Sequence, residues 1–361
     1  MTHAFRPSDH SRPSRRSGHS GHSGHSGHSG LPVPLPAPWR RDGADRPSGA
    51  ADTPNGAPVQ PAFIGAPASG HPDALAPDAA PPVPVALLRC PDYDPQRVGR
   101  VVAEALDACG WTPPRGQVLV KPNLLRAAPA LSCTHPQVVR AACTWLLDSG
   151  CRITVADSPG FGTARGVAEA IGLTEALRPL GLSVVPLDDA VQVPLSFGGS
   201  IGVARCALQA DGVLSVPRLK AHSQMRVTLA VKNLFGCVPG VRKAFVHTRH
   251  GDRDHRFEGA LVEVAAALPP TAALLDGVEA MHVTGPGSGK PYHLGLVGAS
   301  ASGVALDTAI CGLLGLAPAQ APLWAELARR GAPGAQHGEI ELVREDRKST
   351  RLNSSHITSS Y

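Results

Sequence analysis

Apolar residues come in two arrangements along most of this chain. Segments 85–88, 117–120, 152–156, 183–187, 212–216, 272–275 and 294–297 are short, apolar and without strict alternation. Runs of that kind predict strands buried on both faces. Between them, segments 96–109, 136–150, 164–172, 173–181, 257–268, 304–314 and 322–330 carry apolar residues at helical spacing. Gly110 and Gly150 stand where two of these helices should stop, and Thr134-His135-Pro136 reads as a helix start with Thr134 as cap and a proline in the first turn. Strands alternating with helices imply an α/β fold: a mostly parallel sheet flanked by helices on both faces. Segment 217–240, PRLKAHSQMRVTLAVKNLFGCVPG, departs from this regularity. It follows the 212–216 strand and mixes lysines, a histidine and an asparagine with apolar anchors, and 227–236 reads as a helix-like run.

Composition divides the chain further. Gly (39) and Pro (36) together make up about a fifth of the 361 residues, well above ordinary usage. They are concentrated in residues 1–84, a Pro/Gly/Ser/His-rich stretch without apolar periodicity that should be a disordered tail. Its GHSGHSGHSGHSG repeat reads as a low-complexity linker, with loose metal binding as the alternative. Residues 85–346 form the expected α/β domain. Residues 347–361, RKSTRLNSSHITSSY, break the composition again and look like translated adapter sequence rather than native protein.

The net charge of +5 and the 4% aromatic content give no indication of nucleic-acid binding. No run of about 18 apolar residues exists to predict a transmembrane helix. The eight cysteines are scattered and none forms a CxxC pair, so neither a zinc ribbon nor a ferredoxin-type cluster is predicted, and a reducing cytoplasm is the expected location.

Polar groups gather just after the expected strands: Lys121 and Asn123, Asp157 and Ser158, Lys220 and His222, and Asp276. Ligands of open parallel sheets bind outside those strand ends. Lys220, His222 and Lys232 are the candidate catalytic groups, with His222 on the same side as Lys220 if the segment is extended. Lys121, Asn123, Ser158, Asn233 and His247 are candidate ligand contacts. Asp157 and Asp276 are candidate ligands of a divalent metal, and either is also a candidate ion-pair partner for Lys232. Each lysine taken singly reads equally well as a solvated loop residue. The run HTRHGDRDH (247–255) reads better as a charged surface loop than as a metal site. Gly160-Phe161-Gly162 and the loop 284–290 fit neither a dinucleotide fingerprint nor a P-loop.

The ordered set VLVKPN (118–123), THP (134–136), DSP (157–159), KAH (220–222), VTLAVKNLFG (227–236), His247, DG (276–277), Met281, GPxxG (285–289) and ALD (305–307) resembles the domain-of-unknown-function 362 family over about residues 85–345. The resemblance implies no general activity. It does imply an association with iron–sulfur clusters, because many members look like iron–sulfur proteins; this chain lacks the cysteine motif. Three functions stay open: a Lys/His/Asp site that handles a small anionic molecule, with or without a metal; an iron–sulfur electron-transfer protein whose cluster module is absent from this chain; and a ligand-binding module without chemistry. Oligomeric state is not legible in the sequence.

Overall fold

The computed structural model describes residues 80–240 and 255–345. The tail reading for the first 79 residues, the terminal 347–361 segment and His247 lie outside the described residues.

The central feature is a 10-stranded mixed sheet. In chain order its main strands are β1 (Val83–Arg89), β2 (Gln117–Pro122), β3 (Arg152–Asp157), β4 (Val184–Pro186), β7 (Gly212–Val216), β8 (Arg218–His222), β9 (Arg226–Thr228), β10 (Thr271–His282), β11 (Lys290–Ser300) and β12 (Ile340–Glu345). The order across the sheet is β12-β1-β11-β10-β7-β2-β3-β4, with β8 joined to β10 and β9. From β10 to β4 the pairs are parallel, whereas β11 runs antiparallel to both β10 and β1. β5 (Ala190–Pro194) and β6 (Ser200–Ala204) form a separate antiparallel hairpin.

The helices are α1 (Pro95–Ala108), α2 (Pro136–Asp148), α3 (Ala164–Ala170), α4 (Leu173–Leu177), α5 (Arg205–Leu208), α6 (Ala230–Asn233), α7 (Arg256–Ala267), α8 (Gly303–Leu313) and α9 (Pro322–Arg329). Strand residues alternate between cores on opposite faces. Val118 and Val120 pack with α1 and α2, while Leu119 of the same strand packs with α7. This is why the strands read as unbroken apolar runs: both faces of each pleat are covered.

Three local expectations change. First, the cap of α2 is His135, not Thr134; Asp94 caps α1 by accepting from the Arg97 amide. The Thr134 hydroxyl instead donates to the Val216 carbonyl (2.6 Å) and accepts from the Asn123 amide (2.8 Å), tying the end of β2 to β7. Second, β10 does not end at Leu275. Gly277 reads as a stop, but it sits where the β10–β11 register shifts, and the strand runs on to His282. A bulge absorbs the irregularity that a glycine signals. Third, Pro217 breaks the backbone pairing after β7 without turning the chain away. β8 continues beyond the end of β7 and pairs with the second half of β10. Segment 227–236 is accordingly not one helix but the end of β9, the short α6 and a 3-10 turn at Leu234–Cys237.

Candidate functional site

β2 and β3 are parallel neighbours, and the hairpin of β8 and β9 stands beside the same end of the sheet through its pairing with β10. Around these ends lies a pocket of about 570 Å³. Lys121, Asn123, Asp157, Ser158, Lys220, His222, Lys232 and Asn233 all line it. Eight of the candidate side chains are therefore brought together. Asp276 is not among them.

Lys121 is the final charged residue of β2 and is 1% exposed. Its ammonium donates to Asp157 Oδ1 (2.8 Å), the Pro122 carbonyl (3.0 Å) and Asn233 Oδ1 (3.3 Å), so three acceptors serve its three N–H bonds. Asp157, at the end of β3, accepts also from the amides of Ser158 (2.8 Å) and Leu124 (2.7 Å). The pair is enclosed by Gly236: a Cβ there would lie 2.2 Å from Lys121 Nζ and 2.4 Å from Asp157 Oδ1. The sequence offers Asp157 as a metal ligand or as one of two possible partners of Lys232; the structure pairs it with Lys121, because β2 and β3 are adjacent parallel strands. Lys232, on α6, also lines the pocket and is half-buried.

Lys220 is equally buried but differently supplied. It donates to Asn123 Oδ1 (2.5 Å) and to the Ser132 carbonyl (2.7 Å). Neither acceptor carries a charge. Burial pushes the amine from its usual 10.5 down to about 7; the electrostatic influence of Cys133 and Asp157 opposes that shift, and that of Lys232 and Arg218 adds to it. Near neutral pH the group is thus divided between ammonium and amine, which suits proton transfer.

The two asparagines hold the lysines apart. Asn233 Oδ1 accepts from Lys121 and from Asn123 Nδ2 (3.0 Å), while its own Nδ2 donates to the Lys121 carbonyl (3.0 Å) and Ser215 Oγ (3.1 Å). Asn123 links Asn233 to Lys220. The helix that carries Asn233 is itself fixed from outside the pocket. Asp307, in the first half of α8, accepts from the Ala230 and Val231 amides (2.7 and 3.0 Å). Its carboxylate therefore serves the start of α6, not the helix it belongs to. Burial raises it to about 7 against those two bonds.

His222 closes the turn between β8 and β9. Its Nδ1 accepts from the Gln224 and Met225 amides (3.2 and 3.1 Å), so the neutral ring carries its proton on Nε2. β8 is extended, so Lys220 and His222 occupy the same face, as the spacing suggests. Thr228 is the cross-strand partner of Lys220. It lines the pocket, is 4% exposed, and its hydroxyl has no hydrogen-bond partner among the described residues. Thr228 falls in the stretch that reads as a helix-like run, so its place beside Lys220 emerges from hairpin register alone. Pro286 also lines the pocket. The glycine before it presses on β8 so closely that a Cβ would lie 1.9 Å from the Ala221 carbonyl.

Asp276 sits within β10 and is fully buried. It accepts from the Tyr93 hydroxyl (2.7 Å) and the His135 amide (2.8 Å), with the Arg218 guanidinium 3.9 Å away. Tyr93 stacks on the His135 ring at 3.5 Å, and burial lowers that imidazole to about 4. This cluster braces β10, β8 and the start of α2. The two aspartates expected to share a metal are therefore in separate polar clusters, and all four of their oxygens already accept from protein donors. Among the described residues no group of three or more His, Cys, Asp or Glu side chains converges, and the cysteines are all free thiols. No helix of the described residues is long and apolar enough to cross a membrane.

Comparison with known proteins places this geometry in a family. The model described as domain of unknown function (DUF362) matches residues 118–312, which hold β2, β3, β8, β9 and hence the pocket. The thylakoid-associated protein sll1697 of Synechocystis sp. is 38% identical over 254 residues, covering 68% of this chain and 79% of that protein. Among solved structures, the lactate racemase apoprotein from Thermoanaerobacterium thermosaccharolyticum aligns with a TM-score of 0.43 at 12% identity, covering 66% of this chain. The chain spans 58% of that racemase chain, and a likeness of this size carries no function across. The family match covers more than half of the chain and the Synechocystis relative shares well over a quarter of its aligned residues, so this chain belongs to the family described as domain of unknown function (DUF362).

Proposed function

We propose that the strand-end pocket binds a small anionic molecule and that Lys220 exchanges a proton with it near neutral pH. One observation carries this reading: two buried lysines share the pocket wall, one matched by a carboxylate and the other by neutral acceptors only. Lys121 and Asp157 cancel each other's charge. Lys220, Lys232 and His222 line the same pocket and carry N–H groups of the kind that favour an anion. Asn123 and Asn233 act by positioning the lysines, and Ser158 by fixing Asp157 through its amide. A metal on Asp157 is not part of this proposal, since binding one there would displace Lys121. Buried free thiols suit a reducing compartment such as the cytoplasm.

Thermal unfolding in the presence of small carboxylates and phosphates tests the reading. At least one anion should raise the melting temperature of the wild type. The same anion should lose at least about tenfold in affinity, about 1.4 kcal/mol, in Lys220→Ala and in His222→Ala, with circular dichroism showing that both remain folded. If no anion stabilises the wild type, or if stabilisation is unchanged in both variants, the pocket is not an anion site.

A further inference from the structure

The β8–β9 hairpin places beside Lys220 a group that no structural role explains. Thr228 is its cross-strand partner, and residues paired in this way have Cβ atoms about 5 Å apart on one face of the sheet. Both line the pocket. The Thr228 hydroxyl is buried and has no partner among the described residues. Leaving a buried hydroxyl unsatisfied costs about 1–3 kcal/mol, and a valine would fill the same strand position without that cost. Such a group calls for a partner beyond the packed chain, and in a pocket wall a ligand can supply it.

Lys220 supplies the other half. Two fixed neutral oxygens, from Asn123 and Ser132, take two N–H bonds and no more. That matches an amine, with two hydrogens held and a lone pair left over. Lys121 shows the alternative in the same wall: three acceptors including a carboxylate, as an ammonium requires. The low proton affinity that burial gives Lys220 agrees with this geometry. A buried amine with an available lone pair is a nucleophile for carbonyl carbon.

We propose that Lys220 forms an imine with the carbonyl carbon of a small oxo acid held in this pocket, and that the Thr228 hydroxyl hydrogen-bonds the oxygen that departs. The proposal rests on the anion-binding reading above and names its substrate class. Lys220 Nζ adds to the carbonyl carbon, and the carbonyl oxygen becomes a hydroxyl by taking a proton from the amine. The C–O bond then breaks as the C=N bond forms, and the hydroxyl leaves as water with the remaining proton of the nitrogen. No electrons are exchanged with a third reagent. Thr228 donates to the oxygen as it gains negative character, and the positive charge of Lys232 attracts the acid group. A phosphate ester without a carbonyl would leave the Lys220 lone pair unused.

Reductive trapping decides the question. The full chain is incubated with glyoxylate or 2-oxoglutarate and sodium cyanoborohydride, and the modified peptide is identified by mass spectrometry. The expected result is one dominant adduct on Lys220, absent in Lys220→Arg, formed about tenfold more slowly in Thr228→Val and at near wild-type rate in Thr228→Ser. Its formation rate should rise between pH 6 and 8, as the amine loses its proton. Glycolate, which has the acid group but no carbonyl, serves as the binding control in thermal unfolding. If glycolate stabilises the wild type and no Lys220 adduct forms with either oxo acid, the imine is wrong and the anion site stands. If neither glycolate nor the oxo acids bind, both proposals fall. An adduct that forms equally fast in Thr228→Val removes Thr228 from the reaction.

Discussion

Lys121 Nζ has an aspartate oxygen at 2.8 Å, whereas Lys220 Nζ has an asparagine oxygen and a backbone carbonyl. Both side chains are 1% exposed, so burial alone does not separate them. What differs is the charge of the acceptor that each one meets. A lysine lowered to about 7 in the folded protein has a definite effect on stability. Below pH 7 the folded and unfolded chains both hold the proton, and folding carries the full cost of burying the charge. From about pH 7 to about 10.5 the folded chain releases the proton that the unfolded chain keeps, so stability rises with pH across that window. Lys220→Met removes this titration. Urea unfolding at pH 7 and pH 9 should show the variant gaining less than the wild type on going to the higher pH, by up to about 1.4 kcal/mol per pH unit. Equal gains in the two proteins would mean that Lys220 keeps an ordinary proton affinity.

Short elements do the positioning. The β8–β9 hairpin sets Lys220, His222 and Thr228 on one face, and α6 with the following 3-10 turn brings Lys232, Asn233 and Gly236 over the end of β2. Neither element is long enough to be stable alone. α6 holds its place because Asp307 caps it from α8 and because Asn233 bonds both Lys121 and Ser215. The 3-10 turn approaches the Lys121–Asp157 pair only because residue 236 has no side chain. Gly236→Ala should displace the ion pair and destabilise the protein by about 1–3 kcal/mol, the range for forcing extra volume into a packed interior. Chemical denaturation measures this directly. A change within about 0.5 kcal/mol, the scale of an ordinary surface substitution, would show that the pair has room to move aside.

Across the whole molecule, stability should be graded by position in the sheet. β7 and β2 lie between paired neighbours and are almost wholly buried, whereas β4 lies at one edge and the β5–β6 hairpin is outside the main sheet. Amide hydrogen exchange should be slowest at Leu119, Val120, Val213 and Leu214, and faster in 184–186 and 190–194 by several orders of magnitude. Comparable rates in both groups would contradict a pocket floor formed by the most rigid part of the sheet. The same scale shows what was legible in the chain. Strands at 117–120 and 152–156, the flanking helices and the cationic character of 217–240 follow from local periodicity and composition, which report whether a segment is buried on one face or two. Those features led to the correct architecture and to the residues that meet in the pocket. They did not lead to the partners. That Asp157 belongs to Lys121, that Asp276 belongs to Tyr93 and the His135 amide, and that Thr228 stands beside Lys220 depend on strand order and register. The Tyr93–Asp276 contact spans 183 residues of chain, and no local pattern encodes a pairing across that distance. Sequence determined which segments are buried and which chemistry lies near the strand ends. Tertiary structure alone decided which charges cancel and which amine meets only neutral acceptors, because only packed neighbours set the acceptor that each buried group meets.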